Sequence, residues 1–396
     1  MKRQFRLYLS REGFNIIQRL FWIFIFAIVY VYLGYPCLLI LLSIFKGEKI
    51  ARGKRFTPSV SLVVVAYNEE KVIRQKIENS LVLDYLHDKL EIIVASDGST
   101  DKTNVIVAEY ADKGVRLSHS IERKGKTVAQ NDAVLKSSGE VIVFSDANAM
   151  YAKDAIKKLV RNFDDKRVGC VCGELKYTNS SESVAGKSES LYWKYEKFLK
   201  RKESQISSLL GVTGSIYAVR RALYVPLKQD IISDFVEPLE IVRNRHKVVY
   251  ESEAISFEKA SADMKTEFER KTRIVTRSIR GLFNERELLN PFKYGIFSIQ
   301  LISHKLLRWT VPLFLIGLFV SNFFLWYNGN IYRGLLVFQI VFYLSALVGW
   351  FFELIGSQIK LFYIPYYFCM VNSAALIGWF KYLTGQKEVI WETTRK

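Results

Sequence analysis

The sequence predicts an α/β domain with a doubly wound parallel sheet, attached to helices that span a membrane. Two observations predict this. From Ser59 to Asn148, short apolar β-branched runs alternate with helical patterns. Outside that block lie four long stretches without a charged residue. Half of the 396 residues are apolar and 14% are aromatic, which excludes a disordered chain. Four cysteines are too few for a disulfide-stapled domain, and no CxxC pair suggests a zinc cluster. Cys170 and Cys172 read as two reduced, buried thiols on one face of a strand. Lys plus Arg number 57 against 39 Asp plus Glu, a net charge of +18. Such an excess suits nucleic acid, an anionic membrane surface or an anionic substrate. The apolar stretches favour the membrane, and no nucleic-acid module is present, so no nucleic-acid partner is expected.

The apolar stretches are Phe21 to Phe45, Trp309 to Tyr332, Gly334 to Phe352 and Leu361 to Phe380. A helix of about 20 residues crosses a bilayer core of about 30 Å. Trp22, Trp309, Trp326, Trp350 and Trp379 lie near their ends, as interfacial aromatics do. The first stretch is longer than a signal-peptide core and lacks a small-residue cleavage site, so it reads as a retained anchor. Gly34-Tyr-Pro36 interrupts it, which leaves a bent or re-entrant segment open. The expected organisation is an anchor over 1–46, an α/β domain over 47–300 with interfacial helices at its end, and about three membrane helices over 301–396. Orientation is contested. Lys2, Arg3, Arg6, Arg11 and Arg19 ask for a cytoplasmic N-terminus, and Lys381, Lys387, Arg395 and Lys396 for a cytoplasmic C-terminus. Lys46, Lys49, Arg52, Lys54 and Arg55 make the same demand for the domain. One anchor and three later spans cannot satisfy all three.

Within the domain, Val60 to Ala66 reads as a buried parallel strand. Val72, Ile73, Ile77 and Leu81 follow at helical spacing. Leu90 to Ser96 is a second strand, ending at Asp97. Ser99 or Thr100 is expected to cap the next helix, with Val105, Ile106 and Tyr110 on its buried face. Val115 to Ser120 is a third strand, Thr127 to Ser137 a helix, and Val141 to Asn148 a fourth strand containing Asp146. In such sheets ligands bind beyond the carboxyl ends of the strands. Asn68, Asp97 and Asp146 are therefore expected on one edge.

These residues carry a resemblance. Ala66-Tyr67-Asn68-Glu69, Asp97-Gly-Ser-Thr-Asp101, Arg123-Lys-Gly-Lys126 with Asn131, and Asp146-Ala-Asn148 resemble, in order and spacing, the motifs of family 2 glycosyltransferases with the GT-A fold. The likeness covers about Pro58 to Gly281. Gly211-Val-Thr213-Gly214 with Arg220-Arg221 resembles the acceptor-side glycine turn and its arginines. Ser233-Asp234 resembles the acidic pair with its first acid lost. Arg270-Lys-Thr-Arg273-Ile274 resembles the QxxRW motif of membrane polysaccharide synthases, with only the arginine kept. Lys305-Leu-Leu-Arg308-Trp309 also carries an RW, and reads as the interfacial entry to a membrane helix.

The resemblance implies a membrane-bound inverting glycosyltransferase at the cell (inner or plasma) membrane, multi-pass, with a cytoplasmic catalytic domain. It would move a sugar from a nucleotide-sugar donor, a UDP-sugar foremost, to a lipid-linked or polysaccharide acceptor. Ala66, Tyr67, Asn68, Glu69 and Asp97 would hold the nucleotide. Mg²⁺ or Mn²⁺ on Asp146 and Asn148 would neutralise the departing diphosphate, helped by Lys126 and Arg273. Asp234 would take the proton of the acceptor hydroxyl. Gly211, Thr213, Gly214, Arg220 and Arg221 would face the acceptor. The alternatives are a processive polysaccharide synthase and a catalytically degenerate binding subunit. Plainer roles stand beside these: Lys126 as a surface lysine, Arg270 to Arg277 as the polar face of an interfacial helix, Asp101 as a helix-start acid, and His304 as a membrane-helix anchor. Gly125-Lys-Thr127 is not a P-loop, because position 120 is Ser.

Overall fold

The computed structural model describes residues 11–47, 50–53, 56–178, 184–259, 264–357 and 359–386. Lys2, Arg3, Arg6, Lys49, Lys54, Arg55, Lys387, Arg395 and Lys396 lie outside the described residues. The chain opens with α1 (Arg11–Val29) and α2 (Tyr35–Phe45), joined by a π-helical turn over Tyr30–Gly34. Pro36 sits in the first turn of α2, directly after the π-turn, and its missing N–H breaks the i→i−4 ladder there. The interruption at Gly34-Tyr-Pro36 is thus a π-turn inside one continuous helix, not a re-entrant loop.

The domain follows as β1 (Val60–Ala66), α3 (Ile73–Leu81), β2 (Leu90–Asp97), α4 (Thr103–Ala108), β3 (Val115–Ser120), α5 (Lys126–Leu135) and β4 (Val141–Asp146). Next come β5 (Met150–Tyr151), α6 (Ala155–Val160), β6 (Val168–Tyr177), α7 (Val184–Ile206), β7 (Tyr217–Arg220), α8 (Ser233–Arg243), β8 (Lys247–Glu258) and α9 (Met264–Asn284). After α10 (Pro291–Tyr294), α11 (Ile296–Leu301) runs through a π-turn at Ile302–Leu306 into α12 (Leu307–Phe324). The last helices are α13 (Asn330–Leu354) and α14 (Lys360–Leu383).

The eight strands form one sheet in the order β3-β2-β1-β4-β7-β6-β8-β5. β3, β2, β1 and β4 are parallel, as expected. The sheet is not parallel throughout. β7 inserts antiparallel between β4 and β6, and β5 pairs antiparallel with β8. Side chains alternate across β1. Val60, Leu62, Val64 and Ala66 enter one core layer with Ile73, Ile77 and Val107. Val63 and Val65 enter the other with Ala129, Ala133 and Leu239. Full burial of such a side chain stabilises by about 1.5–3 kcal/mol. Cys170 and Cys172 are free, buried and share the second layer.

The register sets the site. Ala66 pairs with Ser96, and Val65 with Asp146, so β1, β2 and β4 end at one level. The helix after β2 departs from expectation. Val105 is 64% exposed, whereas Val107 and Tyr110 are buried. Neither Ser99 nor Thr100 caps it; Asp101 Oδ1 accepts the Thr103 N–H at 2.9 Å.

Four helical segments are long and apolar enough to cross a membrane: Glu12–Phe45, Ile296–Phe324, Asn330–Leu354 and Lys360–Leu383. The apolar stretch from Trp309 to Tyr332 is split, because the helix ends at Phe324 and Gly329 turns the chain with φ of 143°. α14 lies beside α9 along its length. Tyr363 contacts Met264, a Cβ on Gly378 would meet Val275, and Arg280 donates to the Gln386 carbonyl.

Candidate functional site

The loop after β1 forms the first wall. Asn68 adopts a left-handed φ of 51°, a conformation Asn tolerates better than most residues. Its Oδ1 accepts the Thr100 N–H at 2.8 Å, and its own N–H donates to Ser99 Oγ at 3.2 Å. The Glu69 N–H donates to Thr103 Oγ1 at 2.8 Å. The loops after β1 and β2 therefore hold each other. Tyr67, Asn68 and Glu69 line a cavity, with the Arg123 guanidinium 3.6 Å from the centre of the Tyr67 ring. Two residues expected to touch the nucleotide do not line it. Ala66 is buried as the last residue of β1. Asp97 is fully buried, and its carboxylate accepts the N–H groups of Lys124 (2.7 Å) and Gly125 (2.9 Å). Burial raises its pKa against those bonds. Asp97 thus fixes the Arg123–Lys126 loop.

The second wall is the turn after β4. Asp146 and Asn148 both line the cavity. Lys126, at the start of α5, pairs with Asp146 Oδ1. Burial works to lower the Lys126 pKa, but Asp146, Asp234 and Glu258 together hold it above its ordinary value. The cation expected at the phosphates is thus paired with the acid expected at the metal, not solvated at the surface.

Two residues in this wall escaped the sequence reading. Glu258, the last residue of β8, lines the cavity. Its Oε1 is buried without a hydrogen-bond partner, and burial beside Asp146 raises its pKa. Lys76, on α3, is fully buried; its ammonium donates to the Ala149 carbonyl and sits 4.0 Å from the Tyr151 ring centre. Tyr151 OH in turn donates to the Phe144 carbonyl at 3.0 Å. The turn carrying Asp146 and Asn148 is tied down at both ends. Burial lowers Lys76 to about 7.

Among the described residues there is no ready-made group of three His, Cys, Asp or Glu ligands. Mg²⁺ and Mn²⁺ sites need none, because one or two carboxylates suffice when substrate phosphates and waters complete the shell. Asp146, the Asn148 amide and the unpartnered Glu258 oxygen are a donor set of that kind.

The third wall holds Asp234, in the first turn of α8. Burial pushes its pKa up; Lys126 pulls it down and Asp146 raises it again. The Val212 N–H donates to the Asp234 carbonyl at 2.8 Å, which fastens the glycine turn to α8. A Cβ on Gly214 would lie 2.9 Å from Asp234 Oδ2 and 3.3 Å from Lys126 Nζ, so a side chain here would displace the Asp234 carboxylate. Gly211, Thr213 and Gly214 all line the cavity. Ser233, where the first acid of the pair is lost, donates to Gln130 Oε1 at 2.6 Å.

Arg270, Lys271, Arg273 and Arg277 of α9 also line the cavity, so this charged face points at the site. Arg270 pairs with Glu267 at 2.7 Å, and Arg277 donates to the Gln229 carbonyl at 3.1 Å and to that of Ile231. Arg220 and Arg221 are not brought to the site. They lie at the far end of the sheet, where Arg220 pairs with Val141. Arg220 donates to the Phe163 and Val168 carbonyls, and Arg221 to Ser137 Oγ and the Val134 carbonyl. Asn131 is likewise structural, holding Tyr224 OH and the Leu227 carbonyl.

The cavity has a volume of about 2870 Å³. Its lining includes Asp146 and Asp234, Lys305 and Trp309, and Ile364, Phe368 and Val371 of α14. The Lys305–Trp309 stretch, expected as a mere entry to a membrane helix, is therefore part of its wall. His304 serves as an anchor: Nδ1 lies 2.6 Å from Glu203 Oε1, which also accepts Tyr35 OH at 2.6 Å.

Residues 61–225 match the family model described as Glycosyl transferase family 2. The chain carries a family 2 glycosyltransferase domain. Its fold is GT-A. A mannosyltransferase from Pyrobaculum calidifontis, PcManGT, solved with GDP-Man and Mn²⁺, superposes with a TM-score of 0.73 at 20% identity, over 93% of this chain and all of that one. A probable glycosyltransferase of Bacillus subtilis, YdaM, is 36% identical over 133 residues, 32% of each chain. A beta-monoglucosyldiacylglycerol synthase of Nostoc is 31% identical over 168 residues, 41% of this chain and 36% of that protein. The matched part of this chain spans about a third of the length of these relatives.

Proposed function

We propose that the protein is a membrane-bound inverting glycosyltransferase that transfers a sugar from a nucleotide-sugar donor to a lipid-linked acceptor. The observation that carries this reading is the single cavity joining Asp146, Lys126 and Asp234 to the apolar residues of α14. PcManGT was solved with a nucleotide sugar and Mn²⁺, and the Nostoc relative is named for a glycolipid product. Both accord with such a donor and such an acceptor. On this reading the Tyr67–Glu69 loop receives the nucleotide, and Asp97 holds the basic loop from below. Asp146, Asn148 and Glu258 would hold the cation. When bound, Mg²⁺ or Mn²⁺ neutralises charge on the leaving diphosphate as a Lewis acid. Lys126 and Arg273 add positive charge on the same side. Asp234, its affinity for a proton raised by burial, accepts the proton of the acceptor hydroxyl as that oxygen attacks the anomeric carbon. The bond to the diphosphate breaks as the new one forms, so one direct displacement inverts the centre.

The domain plan proposed is an anchor over 1–46, a catalytic domain over 47–300 and a membrane region over 301–396. α9 carries Arg270, Arg273, Arg277 and Arg280, too many charges to sit in lipid. α14 runs beside it, which supports α14 lying along the interface while the other three apolar segments cross. Three crossings place the domain and the C-terminus on one side, the cytoplasm, and leave only the N-terminal basic residues against the positive-inside rule. The test is a screen of UDP- and GDP-sugars with Mn²⁺ and membrane lipid extract. Label moving into the organic phase supports the reading; donor turnover without any lipid-soluble product rejects the lipid acceptor.

A further inference from the structure

α8 begins at Ser233, and the residue before it, Ile232, offers no side-chain cap; Asp234 sits in that first turn. A helix start without such a cap leans on the chain that leads into it. That chain, residues 227–232, is gripped from two sides. On the side of α5, Asn131 holds Leu227, and Thr127 Oγ1 donates to the Ile231 carbonyl at 2.8 Å. On the other side stand two arginines of α9. Arg277 is buried; it donates to the Gln229 carbonyl at 3.1 Å, to the Ile231 carbonyl, and to Thr127 Oγ1 at 3.2 Å. Arg280 pairs with Asp230 at 3.1 Å, and the two side chains are only 14% and 17% exposed.

Gln229, Asp230 and Ile231 are therefore all bound by α9. A guanidinium suits this task, because its fixed fork of five donors reaches several acceptors at once. α9 also abuts α8 itself: a Cβ on Gly281 would run into Val236, two residues after Asp234. α14 seats on α9 just as closely. A Cβ on Gly378 would lie 2.9 Å from Val275 Cγ1 and 3.3 Å from the Thr276 nitrogen. Arg280 joins the two contacts, because it also donates to the Gln386 carbonyl at 3.0 Å, just past the end of α14. One side chain thus holds both the segment leading to Asp234 and the end of an apolar helix.

We propose that Arg277 and Arg280 are positioning residues for Asp234: they fix the segment before α8, and they make the place of the base depend on α14 lying against α9. This rests on the glycosyltransferase reading, in which Asp234 is the base. Neither arginine has to touch a substrate for it. A misplacement of about 1 Å in a reacting group costs about a hundredfold in rate. The loops after β1, β2 and β4, which form the nucleotide side of the cavity, make none of these contacts. Loosening the clamp should therefore lower kcat and spare the donor KM.

The test uses the full chain in detergent and reads two quantities: amide hydrogen exchange over 227–240, and sugar transfer with the donor found by screening. Arg277→Met and Arg280→Glu should each speed exchange in that segment and lower kcat by at least about tenfold, with donor KM and UDP or GDP binding unchanged. Asp230→Arg combined with Arg280→Asp should regain about threefold or more over either single change, which guards against a folding defect. Gly378→Leu, which wedges α14 off α9 far from any reacting group, should reproduce both effects. Unchanged exchange and kcat in the arginine variants overturns the proposal. So does a loss of nucleotide binding in step with kcat, which would make the arginines general supports of the domain. Unchanged exchange in Gly378→Leu overturns the dependence on α14. Wild type that binds nucleotide sugars but never transfers or hydrolyses them refutes the glycosyltransferase reading, while exchange still reports the clamp. Transfer by wild type that the variants match refutes only the positioning role.

Discussion

Replacing Lys76 by methionine should separate stability from activity. Lys76 is fully buried, and its pKa falls from 10.5 to about 7. Between those values the unfolded chain binds more protons than the folded one, so folding stability rises with pH across that window. The shift is 10.5 − 7 = 3.5 units. At pH 7, where the folded group is half protonated, it costs about 4 kcal/mol relative to a side chain that never charges. Methionine removes that cost. It also forfeits the bond to the Ala149 carbonyl and the contact with Tyr151, together about 3 kcal/mol. The variant should therefore be slightly more stable than wild type near pH 7. Wild type should then gain about 2 kcal/mol on it by about pH 9, roughly 4–8 °C in relative Tm. Sugar transfer should fall at every pH, because the turn bearing Asp146 has lost one tether. Thermal melts of both proteins in detergent across this range provide the assay. Parallel pH profiles, or a variant with undiminished transfer, would refute the reasoning.

Gly214→Ala should cut transfer by at least about tenfold while nucleotide affinity, read by titration with UDP or GDP, changes little; its Cβ would sit 2.9 Å from Asp234 Oδ2. Glu258→Gln should weaken the Mn²⁺ requirement curve by about 10–100-fold in half-saturating metal, and an unchanged curve removes Glu258 from the donor set. A reporter fused to the C-terminus should be cytoplasmic, because α14 lies along α9; an external signal would make α14 a fourth crossing. Activity at saturating donor should rise with pH through an apparent pKa above the ordinary Asp range, since burial raises Asp234 and the base works only when ionised.

Much of the fold was legible because parallel buried strands write continuous β-branched runs, and β1 to β4 are such runs. β7 was not legible: Tyr217–Arg220 is four residues long and pairs antiparallel between two longer strands, which no local pattern encodes. Tyr67, Asn68 and Asp146 were expected at strand ends and Asp234 from the resemblance of Ser233-Asp234 to an acidic pair, and all four line one cavity. Arg220 and Arg221 misled, because adjacent arginines look like an anion site while here they bind main-chain carbonyls. Asp97 was rightly placed at the edge, yet it faces inward to the loop it fixes. Glu258 follows Asp146 by 258 − 146 = 112 residues and meets it only through the sheet. Lys76 occupies an unremarkable helical position, and its burial is visible only once α3 is laid against the turn after β4.

Asp234 is the proposed base of a sugar transfer into lipid. Its most direct test measures incorporation of radiolabelled sugar into organic-extractable product by wild type and Asp234→Asn, with the donor found in the nucleotide-sugar screen. Wild type is expected to yield product, the variant about a thousandfold less or lower still, and both to bind nucleotide similarly. Transfer by Asp234→Asn at the wild-type rate would contradict it.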